Sequence, residues 1–211
     1  DANTGVTGAQ TLNDSGYPCF VGALASDVSL QVAEDVAIPE QMPMISPAST
    51  APGYSELEGD FTFRTAVPDS FQGEVLAQIA GERLDADSVA VIAQDDAYGQ
   101  GLAGSFVESF RNDVGGTAAE PVIFSTGQSS YTTQLESALQ SDPDVLLVVT
   151  FPEDGVRLFS DFYSEFDSDA VDVLVSDGLQ AGSLPSDVGF DMSDVTGTAP
   201  IGSGPGLETF Q

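Results

Sequence analysis

Four groups of residues have types and spacing that could do chemistry. Gly99-Gln100-Gly101-Leu102-Ala103-Gly104 is a G-x-G-x-x-G run. It follows a strand-like segment and opens a helix-like one, the arrangement that cradles a pyrophosphate in dinucleotide-binding folds. Ser26 lies just behind the apolar run 19–24 (CFVGAL), and Ser46-Pro47-Ala48-Ser49-Thr50 lies behind 42–46 (MPMIS). Hydroxyls at strand ends stand where open α/β sheets hold ligands, and the free N–H groups of a helix start suit a small anion. Ser26 also reads as the N-cap of the helix that follows it. Asp177 comes directly after 171–176 (VDVLVS) and before Gly178, a carboxylate that either meets a cation or forms a turn.

The glycine run reads against a nucleotide in its context. Residues 94–98 separate strand from first glycine where a dinucleotide turn is tight, and Asp95 and Asp96 would repel phosphate. The next strand, 122–124, ends in Ser125 rather than a ribose-binding acid, and the chain has no G-x-x-x-x-G-K-[ST] run. The sequence holds no His and one Cys. That excludes a Ser-His-Asp triad, a His-ligated metal, a zinc cage of cysteines and an internal disulfide. Cys19, inside an apolar run, reads as a buried small hydrophobe with no redox task. A carboxylate and metal enzyme would need acids at adjacent strand ends; Asp95, Asp96 and Asp177 are the obvious ones, while Asp144 sits at a strand start on the opposite edge. No cofactor is expected.

Asp and Glu number 34 against 4 basic residues, a formal charge of −30 over 211 residues. Nucleic acid is excluded as a partner, because phosphates are held by Lys and Arg and this surface repels them. The acids are scattered as pairs rather than gathered in a tail, which reads as a solvated coat. Such a composition resembles that of haloarchaeal proteins, whose carboxylate shells stay hydrated in molar salt. Apolar residues make up 41% of the chain, enough for a core, and no apolar run is long enough to span a bilayer. The chain starts at Asp1 with no charged and then apolar leader, so a signal segment is expected to be removed or to lie outside this sequence.

The elements that must position these residues follow from periodicity. Residues 88–93, 121–124, 144–149 and 171–176 are nearly continuous apolar runs, as strands buried on both faces must be. Between them, 71–84, 101–114, 131–139 and 155–166 carry apolar stripes at helical spacing. Strand and helix in alternation mean a parallel sheet with right-handed crossovers. Residues 19–24 and 42–46, separated by the apolar-patterned 28–38, make a second such series. The stretches 61–67 and 196–205 read as connections between layers rather than core.

Taken together, the chain resembles the branched-chain amino-acid-binding branch of the type 1 periplasmic solute-binding proteins. The matching pieces are Gly22-Ala23-Leu24-Ala25-Ser26, Met44-Ile45-Ser46-Pro47-Ala48-Ser49-Thr50-Ala51-Pro52, Phe63-Arg64-Thr65, Asp69-Ser70-Phe71-Gln72-Gly73, Tyr98-Gly99-Gln100-Gly101-Leu102-Ala103 and Asp142-Pro143-Asp144. They occur in family order over nearly the whole chain. The resemblance implies two Rossmann-like α/β lobes joined by three crossovers, with a branched-chain amino acid or similar small zwitterion in the cleft. It implies that Ser26, Thr50 and nearby amides take the ligand carboxylate. It assigns the ammonium to Asp177 and a carbonyl near Ala48 and Ser49, and the side-chain pocket to Leu24, Ala25 and Tyr98. Phe151 falls where relatives often have Tyr.

By the same resemblance the chain is expected to be a fragment. It would begin after the first strand, helix and second strand, leaving the first lobe incomplete. Residues 1–66 would belong to that lobe, 67–198 to the second, and 199–211 to a return crossover. The implied function is a non-catalytic, extracytoplasmic receptor, anchored through a segment absent from this chain, that feeds the membrane permease of an ABC importer. A ligand-sensing module of the same fold is the alternative, and would need a fused signalling element.

Overall fold

The computed structural model describes residues 1–200, which build two parallel sheets flanked by helices. The first element, α1 (Ala2–Asp14), is one that hydrophobic periodicity does not reveal. Its N-cap is Asp1, whose side chain accepts from the Thr4 N–H at 2.9 Å. The strands β1 (Phe20–Val21), β2 (Met44–Ser46) and β3 (Thr62–Arg64) form a small sheet in the order β1-β2-β3. Between β1 and β2 runs α2 (Ser26–Val32), which continues through a wider π-type turn over Ala33–Ala37. Val32, Ala33, Val36 and Ala37 from this helix pack with Ala9 and Met44 over one face of the sheet.

Successive side chains in a strand point to opposite faces. Val21, Ile45 and Phe63, which pair in register, therefore share the other face and are 77%, 40% and 48% exposed. Two expectations need correction here. The stretch 61–67 is not merely a connection: it supplies β3, because its extended β-formers pair along the free edge of β2. Cys19 is exposed rather than buried, since sheet pairing begins only at Phe20.

A short 3₁₀ turn, Pro52–Ser55, and then α3 (Asp69–Gln78), which runs on to Arg83, lead toward the second sheet. Next come β4 (Ser88–Gln94), α4 (Ala97–Ser109, continued to Val114), β5 (Thr117–Ala118), β6 (Val122–Phe124), α5 (Thr132–Leu139) and β7 (Val145–Val149). The described chain ends with α6 (Pro152–Glu165), β8 (Asp172–Val175), α7 (Leu184–Val188) and β9 (Thr196–Gly197). The strand order is β5-β4-β7-β8-β9, all parallel, with β6 also beside β4.

The central strands are apolar throughout because both of their faces are covered. Val89, Val91, Val145, Leu147 and Val149 meet Leu76, Leu102, Phe106 and Phe110 of α3 and α4 and its extension. The alternate set, Ala90, Ile92, Leu146 and Val148, meets Leu135, Leu158, Phe159 and Phe162 of α5 and α6. Each such side chain larger than that of Ala contributes about 1.5–3 kcal/mol when taken fully from water, so this double layer is the rigid base for the site. At its opposite end Asp144 accepts from the Ser88 hydroxyl and N–H, both at 2.8 Å, and these bonds hold its pKa below the usual value. Of the expected return crossover, 199–211, all but the first two residues lie outside the described residues. Among the described residues no helix is long and apolar enough to cross a membrane.

Candidate functional site

On the small-sheet side, two segments that follow strand ends are laced together by serines. Ser46 donates to the Ala23 carbonyl at 2.6 Å and accepts from the Ser49 N–H at 2.9 Å. The Ser49 hydroxyl turns inward to pair with that of Ser29 at 2.6 Å. Ser26 is not the N-cap expected from sequence: Ala25 holds that position without a side-chain cap bond, and Ser26 is the first helical residue. Its oxygen instead accepts from the Ala51 N–H at 3.3 Å, which leaves the hydroxyl proton unspent.

The carbonyls of the same loop are clamped from outside. Arg64 donates through Nη1 to the Thr50 and Ala51 carbonyls at 3.0 and 2.9 Å, and the Asp69 N–H reaches the Thr50 carbonyl at 2.8 Å. The guanidinium lies 5.7 Å from the centre of the Tyr54 ring. Burial lowers the Arg64 pKa, and the nearby Asp69 partly restores it.

On the large-sheet side, Asp96 caps α4 by accepting from the Gly99 N–H at 2.7 Å. Burial raises the Asp96 pKa; bonds from Gly99 and Gln94 oppose that. In the first turn of α4, the buried Tyr98 ring stacks on Phe151 with centroids 5.1 Å apart. The Tyr98 hydroxyl donates to Asp177 Oδ1 at 2.8 Å and accepts from the Gly178 N–H at 3.0 Å. Burial, reinforced by the Asp177 charge, pushes the Tyr98 pKa up, so the phenol remains a donor. Gln72 of α3 also donates to Asp177 Oδ1, at 3.0 Å, and to Thr198 at 2.9 Å. The bonds from Tyr98 and Gln72 to Asp177 thus fall on one oxygen, and among the described residues Oδ2 accepts none.

The glycine run has a packing explanation. A Cβ on Gly99 would lie 2.1 Å from the Gln94 carbonyl oxygen, and one on Gly101 would lie 2.6 Å from Pro52 Cδ. The first glycine lets α4 start hard against β4. The second lets α4 touch the 3₁₀ turn that follows β2, on the other side of the cleft. Asp27 adds a polar tie across the same gap, accepting from the Ala97 N–H at 2.7 Å.

Between the two sides lies a cavity of about 370 Å³. Its walls are Leu24, Ala25, Ser26, Ala48 and Thr50 from the small-sheet side, and Tyr98, Phe151, Asp177 and Gly178 from the large-sheet side. Of the nine residues expected at the site, Ser49 alone is absent from this lining. Sequence reasoning missed Gln72, Arg64, Asp69 and Asp27. The first three lie in the quoted stretches Phe63-Arg64-Thr65 and Asp69-Ser70-Phe71-Gln72-Gly73, which were the available signal. Among the described residues no three acids or thiols are grouped so as to hold a metal ion. Chemically, the cavity offers hydroxyls from its small-sheet wall, a carboxylate from its large-sheet wall and apolar side chains on both.

A model of the periplasmic binding protein family matches residues 1–200, and the chain belongs to that family. The leucine-specific-binding protein of Salmonella typhimurium is 32% identical over 111 residues, which cover 53% of this chain and 30% of that protein. Among solved structures, a leucine binding protein from Thermotoga maritima superposes with a TM-score of 0.81 at 26% identity, over 90% of this chain and 53% of that one. A branched-chain amino acid transporter substrate binding protein from Streptococcus pneumoniae, in complex with isoleucine, gives a TM-score of 0.77 at 19% identity, over 100% of this chain and 60% of its own. An ABC-transporter solute binding protein from R. palustris, in complex with 4-hydroxybenzoate, gives 0.78 at 15% identity, over 89% of this chain and 51% of its own. The chain thus spans little more than half of these solved proteins. The fold is that of the type 1 periplasmic binding proteins, with parallel sheets flanked by helices.

Proposed function

We propose that this chain is the ligand-holding part of an extracytoplasmic, non-catalytic substrate-binding protein that delivers a small carboxylate-bearing solute, foremost a branched-chain amino acid, to the permease of an ABC importer. The observation that carries this reading is the make-up of one cavity, with Ser26 and Thr50 in its small-sheet wall and Asp177 in its large-sheet wall. A zwitterion fits that arrangement, its carboxylate on the hydroxyls of Ser26 and Thr50 and its ammonium on the open Oδ2 of Asp177. Leu24, Ala25, Ala48, Phe151 and the Tyr98 ring would flank the side chain, with the carbonyls beside Ala48 and Ser49 as further acceptors. Isoleucine and 4-hydroxybenzoate, held by two of the solved relatives, both carry a carboxylate, which favours the hydroxyl wall as the common anchor. On this reading the lobes divide near residues 66 and 67, and a ligand touching both lobes stabilises their closed arrangement. A thermal-shift screen of amino acids, their amides and aromatic acids in molar KCl tests it, because a ligand that binds only the native state raises the melting temperature. Protection by branched-chain amino acids is expected. Protection by none of the carboxylates, with amides or sugars active instead, would refute the assignment.

A further inference from the structure

Asp69 has no role in the site described so far beyond its backbone N–H, yet its side chain is the most anomalous near the cleft. It sits in the first turn of α3, is 0% exposed, and neither carboxyl oxygen has a hydrogen-bond partner of acceptable geometry among the described residues. Other buried carboxylates are satisfied: Asp154 accepts from Gly127 N–H and the Tyr131 hydroxyl, and Asp161 accepts from Tyr131 N–H and pairs with Arg157. An ionised carboxylate without donors is costly in such a place, and a neutral acid is the ordinary resolution.

Its surroundings come from four elements. The Thr50 hydroxyl, on the loop after β2, bears on it most strongly among side chains and lowers its pKa; Asp177 after β8 and Asp96 at the start of α4 raise it, and Arg64 of β3 lowers it. Desolvation outweighs them all and lifts the group to about 7. Protonated, Asp69 can donate to the Thr50 oxygen and leave the Thr50 proton free for the cleft. Ionised, it would draw that proton to itself and set a negative charge behind the place proposed for a ligand carboxylate.

We infer that Asp69 is a positioning residue that acts as a neutral acid behind Thr50, and that the cleft accepts a carboxylate well only while that proton is in place. The inference rests on the proposed carboxylate seat at Ser26 and Thr50. The chain has no His, so little else near neutrality obscures the effect. Carboxylate affinity is highest below the Asp69 midpoint and falls as pH rises through it. It drops roughly tenfold for each unit by which the bound anion raises that midpoint.

Two arms test this in the full chain. In the first, without ligand, ¹³C NMR follows the aspartate carboxyls with pH. One resonance should titrate near neutrality and vanish in Asp69→Asn, and its midpoint should rise in Thr50→Val, which removes the group that lowers it. A midpoint near the ordinary carboxylate value, or one indifferent to Thr50→Val, overturns the inference even if ligands bind. In the second, calorimetry measures L-leucine and its deaminated analogue 4-methylpentanoate from acid to alkaline pH. Affinity for both should fall about tenfold above the midpoint, and Asp69→Asn, which still donates to Thr50, should hold acid-side affinity across the range. A wild-type profile as flat as that of Asp69→Asn overturns the inference and leaves the seat intact. If neither probe binds at any pH, the carboxylate seat itself fails and the inference falls with it.

Discussion

Asp177→Asn separates recognition from architecture, because the two oxygens of Asp177 have different jobs. Oδ1 accepts from the Tyr98 hydroxyl at 2.8 Å and from the Gln72 amide at 3.0 Å, and the amide oxygen of Asn can accept both bonds again. Oδ2, the oxygen assigned to the ligand, becomes an NH₂ group that donates and so meets an ammonium with the wrong polarity. A hydrogen bond to a charged group contributes about 1.5–3 kcal/mol. At about 1.4 kcal/mol per decade, L-leucine should bind roughly ten- to a hundredfold more weakly. The analogue 4-methylpentanoate carries no ammonium and should lose little. Isothermal titration calorimetry in molar KCl reads both, with circular dichroism as the control for folding. Equal losses for the two probes, or an unchanged leucine affinity in a folded variant, would show that Asp177 is only a turn residue.

Salt provides a further test: with a charge of −30 and only two ion pairs among the described residues, Arg111–Glu120 and Arg157–Asp161, self-repulsion is poorly offset. Thermal midpoints should climb with KCl as the Debye length contracts from about 10 Å at 0.1 M to about 3 Å at 1 M; a flat series would refute a halophilic design. The glycine run predicts a ranked set of alanine variants under urea. Gly99→Ala, whose Cβ meets a backbone oxygen at 2.1 Å, should cost most, and Gly101→Ala, meeting Pro52 at 2.6 Å, should cost about 1–3 kcal/mol. Gly104→Ala, with nothing within 4 Å, should gain up to about 1 kcal/mol. Saturable binding of NAD or ATP, lost in Gly99→Ala, would instead return the run to a nucleotide role.

The large sheet was legible because both of its faces are dry. The alternating sets Val89, Val91, Ala93 and Ala90, Ile92 each find a helical layer, so the strand reads as one apolar run. The small sheet was harder to read. Its strands are two or three residues long, and Val21, Ile45 and Phe63 stand on an exposed face, so neither alternation nor length marks them clearly. The helix α1 carries Thr, Gly, Asn and Gln through most of its length and buries only Ala9, which leaves hardly any periodic signal. At the site, Ser26, Thr50 and Asp177 stand out because each follows a strand. Gln72 and Asp69 do not, because their surroundings come from elsewhere in the chain: Gln72 meets Asp177 across 105 residues of sequence, a proximity created only by the packing of α3 with α4 on the large sheet.

The most direct test of the central claim is a crystal structure with L-leucine at saturating concentration. The ligand is expected in the cavity between the two sheets, its carboxylate oxygens about 2.5–3.0 Å from the hydroxyls of Ser26 and Thr50. Its nitrogen should lie on Asp177 Oδ2 and its isobutyl group against Phe151 and Tyr98. An empty cavity under those conditions, or a ligand reversed with its carboxylate toward Asp177, would contradict that claim.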